Sequence, residues 1–421
     1  MKTKKKYHFT GVAGTGMSAL AAILKQRGRE ITGSDEANDF QTATSLRNAG
    51  IQVKRFNPAN ITKNLDLVVY SSAYNPATHP ELKKAAKIGI PIQSYAEALA
   101  ALFNSYERRV LVTGTHGKST TTAMIGHILT EAGHDPTVIV GAEVKNWKSN
   151  SRTGKSNIMV VEGDEYQEKV LLMNPTLLVL TATDYDHPDY FKNQTAYESM
   201  FDTLVRRMPK NKNNVVSWKK FAQAFRNHPA VSMPYLIGKH NQQNAHCALR
   251  AVRLLGLKET AVKKALKTFK GVGRRLEFHR KPEAPVVLLD DYAHHPTEIK
   301  ASLNAVRERY PKQRIIVIFQ PHTFSRTKAF LDDFAQSFSD ADAVIVLKTF
   351  SSARERTGPI GAKELAQAAA KHHPSVRYAA THKKAIALAK DLVRKSRQTR
   401  REQAVLITMG AGDVNHLLGL L

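Results

Sequence analysis

The stretch Val110-Leu-Val-Thr-Gly-Thr-His-Gly-Lys-Ser-Thr-Thr-Thr122 decides how the rest of this 421-residue chain is interpreted. Its apolar, β-branched start predicts a short strand, and a turn with two glycines then leads into a helical pattern. Backbone N–H groups at a helix start bind phosphate, a lysine there reaches the β- and γ-phosphates, and the serine hydroxyl ligates Mg²⁺. An ordinary turn with a capping hydroxyl is the alternative. The predicted phosphate-binding loop consists of Gly114, Thr115, His116, Gly117, Lys118, Ser119 and Thr120.

Length and composition limit the class of protein. A chain of 421 residues exceeds one ordinary core and predicts two to four domains. Cys247 is the only cysteine, which excludes an internal disulfide and a cysteine-based zinc site and favours a reducing compartment. No apolar run reaches membrane-spanning length, and no apolar segment follows the basic N-terminal residues. We therefore expect a soluble, cytoplasmic protein without membrane insertion.

The charge balance is strongly basic, with 63 Lys and Arg against 36 Asp and Glu and a formal net charge of +27. Such a balance is found in nucleic-acid-binding proteins. Here the basic residues are spread along the chain and are not interleaved with aromatic residues that would stack on bases. This pattern favours a solvated basic surface, so we expect no specific nucleic-acid partner. A non-catalytic nucleic-acid-binding protein remains an alternative suggested by the charge alone.

Short β-rich runs alternate with helical patterns along almost the whole chain, which predicts an α/β fold with mainly parallel sheets. We expect three domains: an N-terminal Rossmann-like domain (1–106), a central P-loop ATPase-type α/β domain (107–278) and a C-terminal Rossmann-like α/β domain (279–421). The main expected strands are 7–10, 31–35, 52–55, 67–70, 110–113, 157–161, 176–181, 286–289, 314–319, 343–347 and 404–408.

A second glycine-rich turn, Gly11-Val-Ala-Gly14-Thr-Gly16, follows the first expected strand. Together with Asp35 it suggests an NAD(P)-binding oxidoreductase as an alternative class. The spacing is G-x-x-G-x-G, however, whereas the dinucleotide fingerprint is G-x-G-x-x-G. That alternative would also leave the Lys118 loop unexplained.

Acidic and histidine residues follow several expected strands, where α/β folds build their active sites. Ser119 and Glu162 are candidate Mg²⁺ ligands because Mg²⁺ prefers oxygen. His187 is a candidate ligand for metal or phosphate, with a hydrogen-bonded structural histidine as the alternative. Arg326 is a candidate for bidentate binding of a carboxylate or phosphate, with a surface ion pair as the alternative.

Taken together, these motifs resemble those of the Mur ligase family, whose members build the peptide of bacterial peptidoglycan. The resemblance spans nearly the whole chain. Within the family, the N-terminal glycine loop, the histidine-rich motifs and Ser351-Ser-Ala-Arg-Glu355 are most similar to members that use L-alanine. The motifs that carry the resemblance are the Lys118 loop, Glu162-Gly-Asp-Glu165, His240-Asn-Gln-Gln-Asn-Ala245, Gly271-Val-Gly-Arg-Arg-Leu-Glu277, Asp290-Asp-Tyr-Ala-His-His-Pro-Thr-Glu-Ile299 and Phe319-Gln-Pro-His-Thr-Phe-Ser-Arg-Thr327.

The resemblance implies an ADP-forming ligase that uses ATP and Mg²⁺ in peptidoglycan precursor synthesis. ATP would phosphorylate the lactyl carboxylate of UDP-N-acetylmuramate, and the amine of L-alanine would attack the acyl phosphate. The alternative within the family is a recycling ligase that attaches a tripeptide to the same nucleotide sugar. We expect a monomer or a weak homodimer.

The resemblance also implies roles for individual residues. Lys118, His187 and Arg326 would be catalytic, and Ser119, Glu162 and His187 would serve Mg²⁺. Besides the Lys118 loop, ATP would contact Asn241, Asn244, Arg275 and Asp291. The other substrates would contact Gly11, Gly14, Gly16, Met17, Ser18, Asp35, Ser71, Ser72, His295, His322 and Arg326.

Some positions depart from the family pattern. Gln167 stands where a carboxylate is common, and Tyr95 stands where an arginine is common. Arg55-Phe-Asn57 replaces a glycine-containing turn expected near the uridine nucleotide.

Overall fold

The computed structural model describes residues 4–36, 42–209, 214–225, 230–279, 285–351, 355–398 and 403–421. These residues form three sheets and confirm the expected α/β class. Residues 352–354 of the Ser351–Glu355 motif lie outside the described part. Among the helices that the structure describes, none combines the length and apolar character that crossing a bilayer requires.

The first sheet has the strand order β3-β2-β1-β4-β5, and all its strands are parallel. Its strands are β1 (Lys6–Thr10), β2 (Glu30–Asp35), β3 (Val53–Arg55), β4 (Leu67–Tyr70) and β5 (Ile92–Ser94). The accompanying helices are α1 (Thr15–Gln26), α2 (Ala43–Asn48), α3 (Pro80–Lys87) and α4 (Tyr95–Asn104). The order reverses between β1 and β4, and ligands of such sheets bind at the carboxyl ends on either side of that reversal.

The second sheet has the order β11-β10-β6-β9-β7-β8, and only the β7–β8 pairing is antiparallel. Its strands are β6 (Arg108–Thr113), β7 (Thr137–Val144), β8 (Ser149–Arg152), β9 (Ile158–Glu162), β10 (Leu177–Leu180) and β11 (Val215–Ser217). The helices in this part of the chain are α5 (Lys118–Glu131), α6 (Gln194–Arg207), α7 (Trp218–Phe225), α8 (Lys239–Leu254) and α9 (Glu259–Leu266).

The third sheet has the order β12-β13-β17-β14-β15-β16, with β12 antiparallel to β13 and the other strands parallel. Its strands are β12 (Glu277–Phe278), β13 (Val286–Asp291), β14 (Arg314–Phe319), β15 (Ala343–Leu347), β16 (Val376–Ala379) and β17 (Ala404–Met409). Its helices are α10 (Pro296–Arg309), α11 (Phe324–Ala329), α12 (Leu331–Ala335), α13 (Ala362–Ala369) and α14 (His382–Gln398). β15 and β17 are buried along their whole length, as expected for parallel strands with helices on both faces.

The chain divides into two compact units. One unit comprises Met1–Thr183, Ser199–His228 and His246–Phe269 and contains the first two sheets. The other comprises Asp184–Glu198, Pro229–Ala245 and Lys270–Leu421 and contains the third sheet. The domain boundaries at 106/107 and 278/279 stay predictions.

A fully buried carboxylate, Glu81 in the first turn of α3, ties the first sheet to the segment after β3. Its oxygens accept hydrogen bonds from the Thr10 and Ser34 hydroxyls at 2.8 and 2.6 Å, the Asn57 N–H at 3.0 Å and the Asn60 amide at 2.8 Å. Burial alone would raise the pKa of Glu81, but hydrogen bonding, first from His8 and then from Ser34, Asn60 and Asn57, outweighs it and lowers the pKa to about 2. The ionised carboxylate is therefore part of the folded structure.

We expect Glu81→Gln to destabilise the protein near pH 7, because the charged acceptor is lost from four donors. A pKa of about 2 against roughly 4.3 in the unfolded chain corresponds to about 3 kcal/mol of stabilisation. This contribution is fully present above the unfolded pKa and is lost as the pH falls towards 2. Calorimetric unfolding between pH 7 and pH 3 should show that Glu81→Gln has a lower free energy of unfolding than wild type, and that this difference becomes smaller below pH 5. The control variant Glu30→Gln, at an exposed position, should unfold like wild type. If Glu81→Gln also unfolded like wild type at every pH, the stabilising role of the ionised Glu81 carboxylate would be contradicted.

Candidate functional site

The Lys118 loop joins β6 to α5 in a conformation that only glycine fits at two positions. Gly114 has φ +130°, and a Cβ there would lie 2.4 Å from the Ala182 carbonyl oxygen. The Thr115 N–H donates to the same carbonyl at 2.9 Å, which fixes the loop against the end of β10. Gly117, with φ +78°, is the last residue before α5 begins at Lys118. The predicted strand, glycine turn and helix N-terminus are therefore all present.

Lys118 is held at the start of α5 by three acceptors. Its Nζ donates to the Gly114 and Thr115 carbonyls at 2.6 and 3.0 Å and to Glu165 Oε1 at 3.0 Å. Burial alone would lower the pKa of Lys118, but the carboxylates of Glu165 and Glu162 outweigh it and raise the pKa. The lysine is therefore a fixed cation beside the loop's backbone N–H groups. The motif identified Lys118, whereas its buried partner Glu165 was not predicted.

Ser119 and Glu162 lie together, as expected for a shared cation site. The Ser119 hydroxyl donates to Glu162 Oε1 at 2.8 Å, and the Gly141 N–H donates to Oε2 at 2.5 Å. A Cβ on Gly141 would lie 2.9 Å from Glu162 Oε1, so a side chain at this position would displace the carboxylate. Within the described residues, no group of three or more His, Cys, Asp or Glu side chains is arranged to hold a metal ion. One hydroxyl and one carboxylate nevertheless fit Mg²⁺, which usually completes its shell with phosphate oxygens and water.

The glycine loop after β1 is shaped by hydrogen bonds to β2. The Gly11 and Val12 N–H groups donate to the Ser34 carbonyl at 2.9 and 3.1 Å. Asp35 Oδ2 accepts from the Ala13 N–H at 2.7 Å, so its carboxylate holds the loop itself. Gly14 precedes α1. The loop thus places the N-terminus of α1 at the carboxyl end of β1, where phosphates bind in Rossmann-like domains.

The other residues expected to contact the nucleotide sugar differ in their exposure. The Met17 and Ser18 side chains are buried, and the Ser18 hydroxyl donates to the Thr15 carbonyl at 3.0 Å. Any substrate contact of these two residues would therefore use the backbone. Ser71 follows β4 and is half-buried, and Ser72 is exposed. Their roles stay predictions.

In the second compact unit, Arg326 and Asp186 form a buried, bidentate ion pair. Arg326 Nε and Nη2 donate to the two Asp186 oxygens at 2.9 and 3.2 Å. Burial alone would raise the pKa of Asp186, but the guanidinium holds it well below its ordinary range. The sequence left a substrate contact or a surface ion pair open for Arg326. The structure shows an ion pair that is buried. The Asp186 carboxylate occupies the two guanidinium nitrogens that would otherwise bind a substrate carboxylate or phosphate.

His187 takes its conformation from this ion pair. Its backbone N–H donates to Asp186 Oδ1 at 2.7 Å, and its φ is +57°, which is uncommon for a residue with a side chain. Such strained positions persist only where the surroundings hold them. Arg326 therefore positions His187 through Asp186. His187 belongs to a different compact unit from Ser119 and Glu162, and its role as a metal ligand stays a prediction.

Of the residues of the second unit that are expected to contact ATP, Asn241, Asn244 and Asp291 are buried and Arg275 is half-buried. The Asn241 amide donates to the Ile237 carbonyl at 2.8 Å, and the Asn244 amide donates to Asn241 Oδ1 at 3.3 Å. The Arg275 guanidinium lies 5.0 Å from the centre of the Tyr292 ring. Burial raises the pKa of Asp291 to about 6, despite hydrogen bonds from the Ser302 hydroxyl and the Ala293 N–H.

His295 and His322 lie beyond the carboxyl ends of the parallel strands β13 and β14. His295 precedes α10, accepts the Thr297 N–H at 3.3 Å through Nδ1, and its ring packs edge-on against Phe330 at 4.9 Å. His322 stacks on Phe350 at 5.6 Å. The backbone of the segment after His322 is held by Glu355, whose carboxylate accepts the Phe324 and Ser325 N–H groups at 3.1 and 2.8 Å. This edge of the sheet gathers the histidine-rich motifs as predicted.

Family models match most of the chain. The Mur ligase family catalytic domain matches residues 6–107, the Mur ligase middle domain 112–233, and the Mur ligase glutamate ligase domain 274–412. The UDP-N-acetylmuramate–L-alanine ligase of Desulfitobacterium hafniense is 34% identical, with 97% of each chain covered. The ligase of the same name from Caldanaerobacter subterraneus is 35% identical, with 97% of this chain and 95% of that protein covered.

This chain belongs to the Mur ligase family. Its fold agrees: a UDP-N-acetylmuramate-alanine ligase structure from Thermotoga maritima matches with a TM-score of 0.78 and 26% identity, covering 98% of this chain and 97% of that one. A murein peptide ligase from Psychrobacter arcticus shares the fold, with a TM-score of 0.68, 21% identity, and 99% and 98% of the two chains covered.

The sequence motifs of this Mur ligase include Glu165 and Glu355, but they did not predict which groups these carboxylates contact. Asp186 had no predicted role. Its pairing with Arg326 links positions 140 residues apart, and no local pattern encodes such a separation.

We expect Asp186→Asn and Arg326→Gln each to lower the free energy of unfolding by roughly 3 to 5 kcal/mol, because each leaves a buried charge without its partner. The double variant should lose clearly less free energy of unfolding than the two single variants lose together, since neither charge then remains. Urea unfolding of the four proteins measures this coupling. Strictly additive losses would mean that the two side chains do not depend on each other.

Proposed function

We propose that this Mur ligase joins L-alanine to the lactyl carboxylate of UDP-N-acetylmuramate and forms ADP and phosphate. The observation that carries the proposal is that both glycine loops open into one cleft of about 220 Å³, lined by Gly16 from the first and by Lys118 from the second. A nucleotide sugar held at the first loop and ATP held at the second would meet there. The full-length similarity to ligases of this name supports the choice of substrates.

The reaction needs activation because a carboxylate does not acylate an amine directly. In the first step a carboxylate oxygen attacks the γ-phosphorus of ATP, the bond to the β-phosphate oxygen breaks, and ADP leaves. In the second step the alanine amine attacks the acyl carbon, phosphate leaves with the electron pair of the C–O bond, and the nitrogen loses a proton. The acyl phosphate hydrolyses readily, so a cleft that excludes water favours amide formation.

Within this scheme the Lys118 loop stabilises negative charge. The fixed cation of Lys118 and the N-terminus of α5 would face the β- and γ-phosphates, where charge moves during phosphoryl transfer. Mg²⁺ would be held by Ser119 and Glu162, and when bound it neutralises phosphate charge. We assign the α1 N-terminus, with Gly11, Gly14 and Gly16, to the diphosphate of the nucleotide sugar.

The third sheet would supply the remaining contacts. We assign Asn241, Asn244, Arg275 and Asp291 to ATP, and His295 and His322 to the amino acid. Arg326 acts on His187 through Asp186 in this proposal. Since ATP is a substrate, we place the reaction in the cytoplasm.

The proposal is tested by phosphate release with purified protein, ATP, Mg²⁺ and UDP-N-acetylmuramate, adding L-alanine, glycine, L-serine or the L-Ala-D-Glu-diamino-acid tripeptide in turn. We expect release that requires both the nucleotide sugar and L-alanine. Release with the tripeptide alone would assign the chain to the recycling reaction, and no release with any acceptor would contradict the proposal.

We expect Lys118→Ala to reduce this release at least about 100-fold, because it removes the cation that faces the transferred phosphoryl group. Lys263→Ala is the matched control, since Lys263 is an exposed lysine on α9 whose ammonium pairs with Glu259 in a surface i,i+4 contact. Equal turnover in the two variants would remove Lys118 from the catalytic site.

A further inference from the structure

The cleft shared by the two glycine loops also contains a tyrosine, Tyr95, to which the proposed mechanism assigns no role. Tyr95 is the first residue of α4 and belongs to the domain that would hold the nucleotide sugar. Lys118 and Glu162 line the same cleft. The side chain of Tyr95 therefore faces the place where the two substrates would react.

Tyr95 is held rigidly. A capping box fixes the start of α4: the Glu97 N–H donates to the Ser94 hydroxyl at 3.3 Å, and Glu97 Oε2 accepts the Ser94 N–H at 2.7 Å. The ring covers Gly16 so closely that a Cβ there would lie 2.5 Å from the Tyr95 hydroxyl oxygen. The absence of a side chain at Gly16 is thus what allows the phenol to lie beside the N-terminus of α1.

The Tyr95 hydroxyl is available to a ligand. Within the part of the chain that the structure describes, it has no hydrogen-bonding partner. Burial and the nearby carboxylates of Asp164 and Glu162 raise the pKa of Tyr95, so the hydroxyl keeps its proton at neutral pH. It is therefore a neutral donor, directed into a cleft whose other polar groups are charged.

The rest of the cleft combines an apolar lining with charged groups of both signs. Leu99, Ile139, Val140 and Met173 are the apolar residues, Lys118 and Lys169 are the cations, and Glu162 and Asp164 are the carboxylates. In the reaction proposed above, the lactyl carboxylate must reach the γ-phosphorus beside Lys118. It must therefore enter this cleft, where Tyr95 is the neutral donor with no other partner.

We propose that the Tyr95 hydroxyl donates a hydrogen bond to the lactyl carboxylate of the nucleotide sugar and so determines which nucleotide sugar is accepted. This inference rests on the proposed function. A neutral phenol orients the carboxylate without neutralising its charge, which preserves its nucleophilicity towards phosphorus.

The test compares two ligands that differ only at the lactyl group: UDP-N-acetylmuramate and UDP-N-acetylglucosamine. Calorimetric titration of Tyr95→Phe should show roughly a 10-fold loss of affinity for UDP-N-acetylmuramate, the size expected for a hydrogen bond to a charged group. Affinity for UDP-N-acetylglucosamine should change less than about twofold, because that ligand does not carry the acceptor. Tyr7→Phe, on β1 and outside the cleft lining, is the matched control and should bind both ligands like wild type.

Steady-state kinetics provide a second measurement. The KM for UDP-N-acetylmuramate should rise in Tyr95→Phe, while the KM for ATP stays unchanged. Equal losses for both nucleotide sugars, or no loss for either, would overturn the role of Tyr95 while leaving the ligase assignment intact. A wild-type protein that binds neither nucleotide sugar would overturn the proposed function and this inference together.

Discussion

The contact between the Lys118 ammonium and the buried carboxylate of Glu165 is the interaction on which the rest of the site depends. A cation in this partly buried position is stable only because Glu165 and Glu162 outweigh the effect of burial on its pKa. The same two carboxylates are held in turn, Glu162 by Ser119 and Gly141 and Glu165 by Lys118 itself. The charges are thus arranged before any phosphate enters, which is how an enzyme avoids reorganisation during reaction.

The fold supports this arrangement by bringing loops together at strand ends. Gly114 has no space for a side chain because the Ala182 carbonyl lies against it, and the Thr115 N–H hydrogen bond to that carbonyl ties the loop to the end of β10. Gly16 is similarly covered by Tyr95. At both positions a glycine is needed because another group, the Ala182 carbonyl or the Tyr95 ring, packs directly on the backbone. In the second compact unit, tertiary contacts also fix a backbone conformation: the buried Asp186–Arg326 ion pair holds the strained backbone of His187.

Local patterns predicted much of the fold. The strands Leu67–Tyr70, Arg314–Phe319 and Ala343–Leu347 have the bounds expected from their apolar runs. Short or polar strands were missed: β8, Ser-Asn-Ser-Arg, has no apolar run at all and is a strand because it pairs with β7. Tertiary pairing overrides local preference in such segments.

The sequence predicted those residues of the candidate site that belong to short, contiguous motifs. The Lys118 loop and Glu162 were found because glycine spacing and a strand end mark them. Glu81, Glu165 and the Asp186–Arg326 pair were not found as partners, because their contacts join segments 21 to 140 residues apart. Tyr95 was noted only as a departure from the family pattern. Its free hydroxyl and its packing on Gly16 are properties of the folded chain.

The central claim is that the two glycine loops join a carboxylate to the γ-phosphate of ATP. Transfer of an oxygen label tests this most directly: UDP-N-acetylmuramate carrying ¹⁸O in both lactyl carboxylate oxygens is converted with ATP and L-alanine, and the phosphate formed is examined by mass spectrometry. We expect one ¹⁸O atom in each phosphate, because the carboxylate oxygen that attacks phosphorus leaves with it. Phosphate without the label, formed together with the amide product, would contradict an acyl-phosphate mechanism.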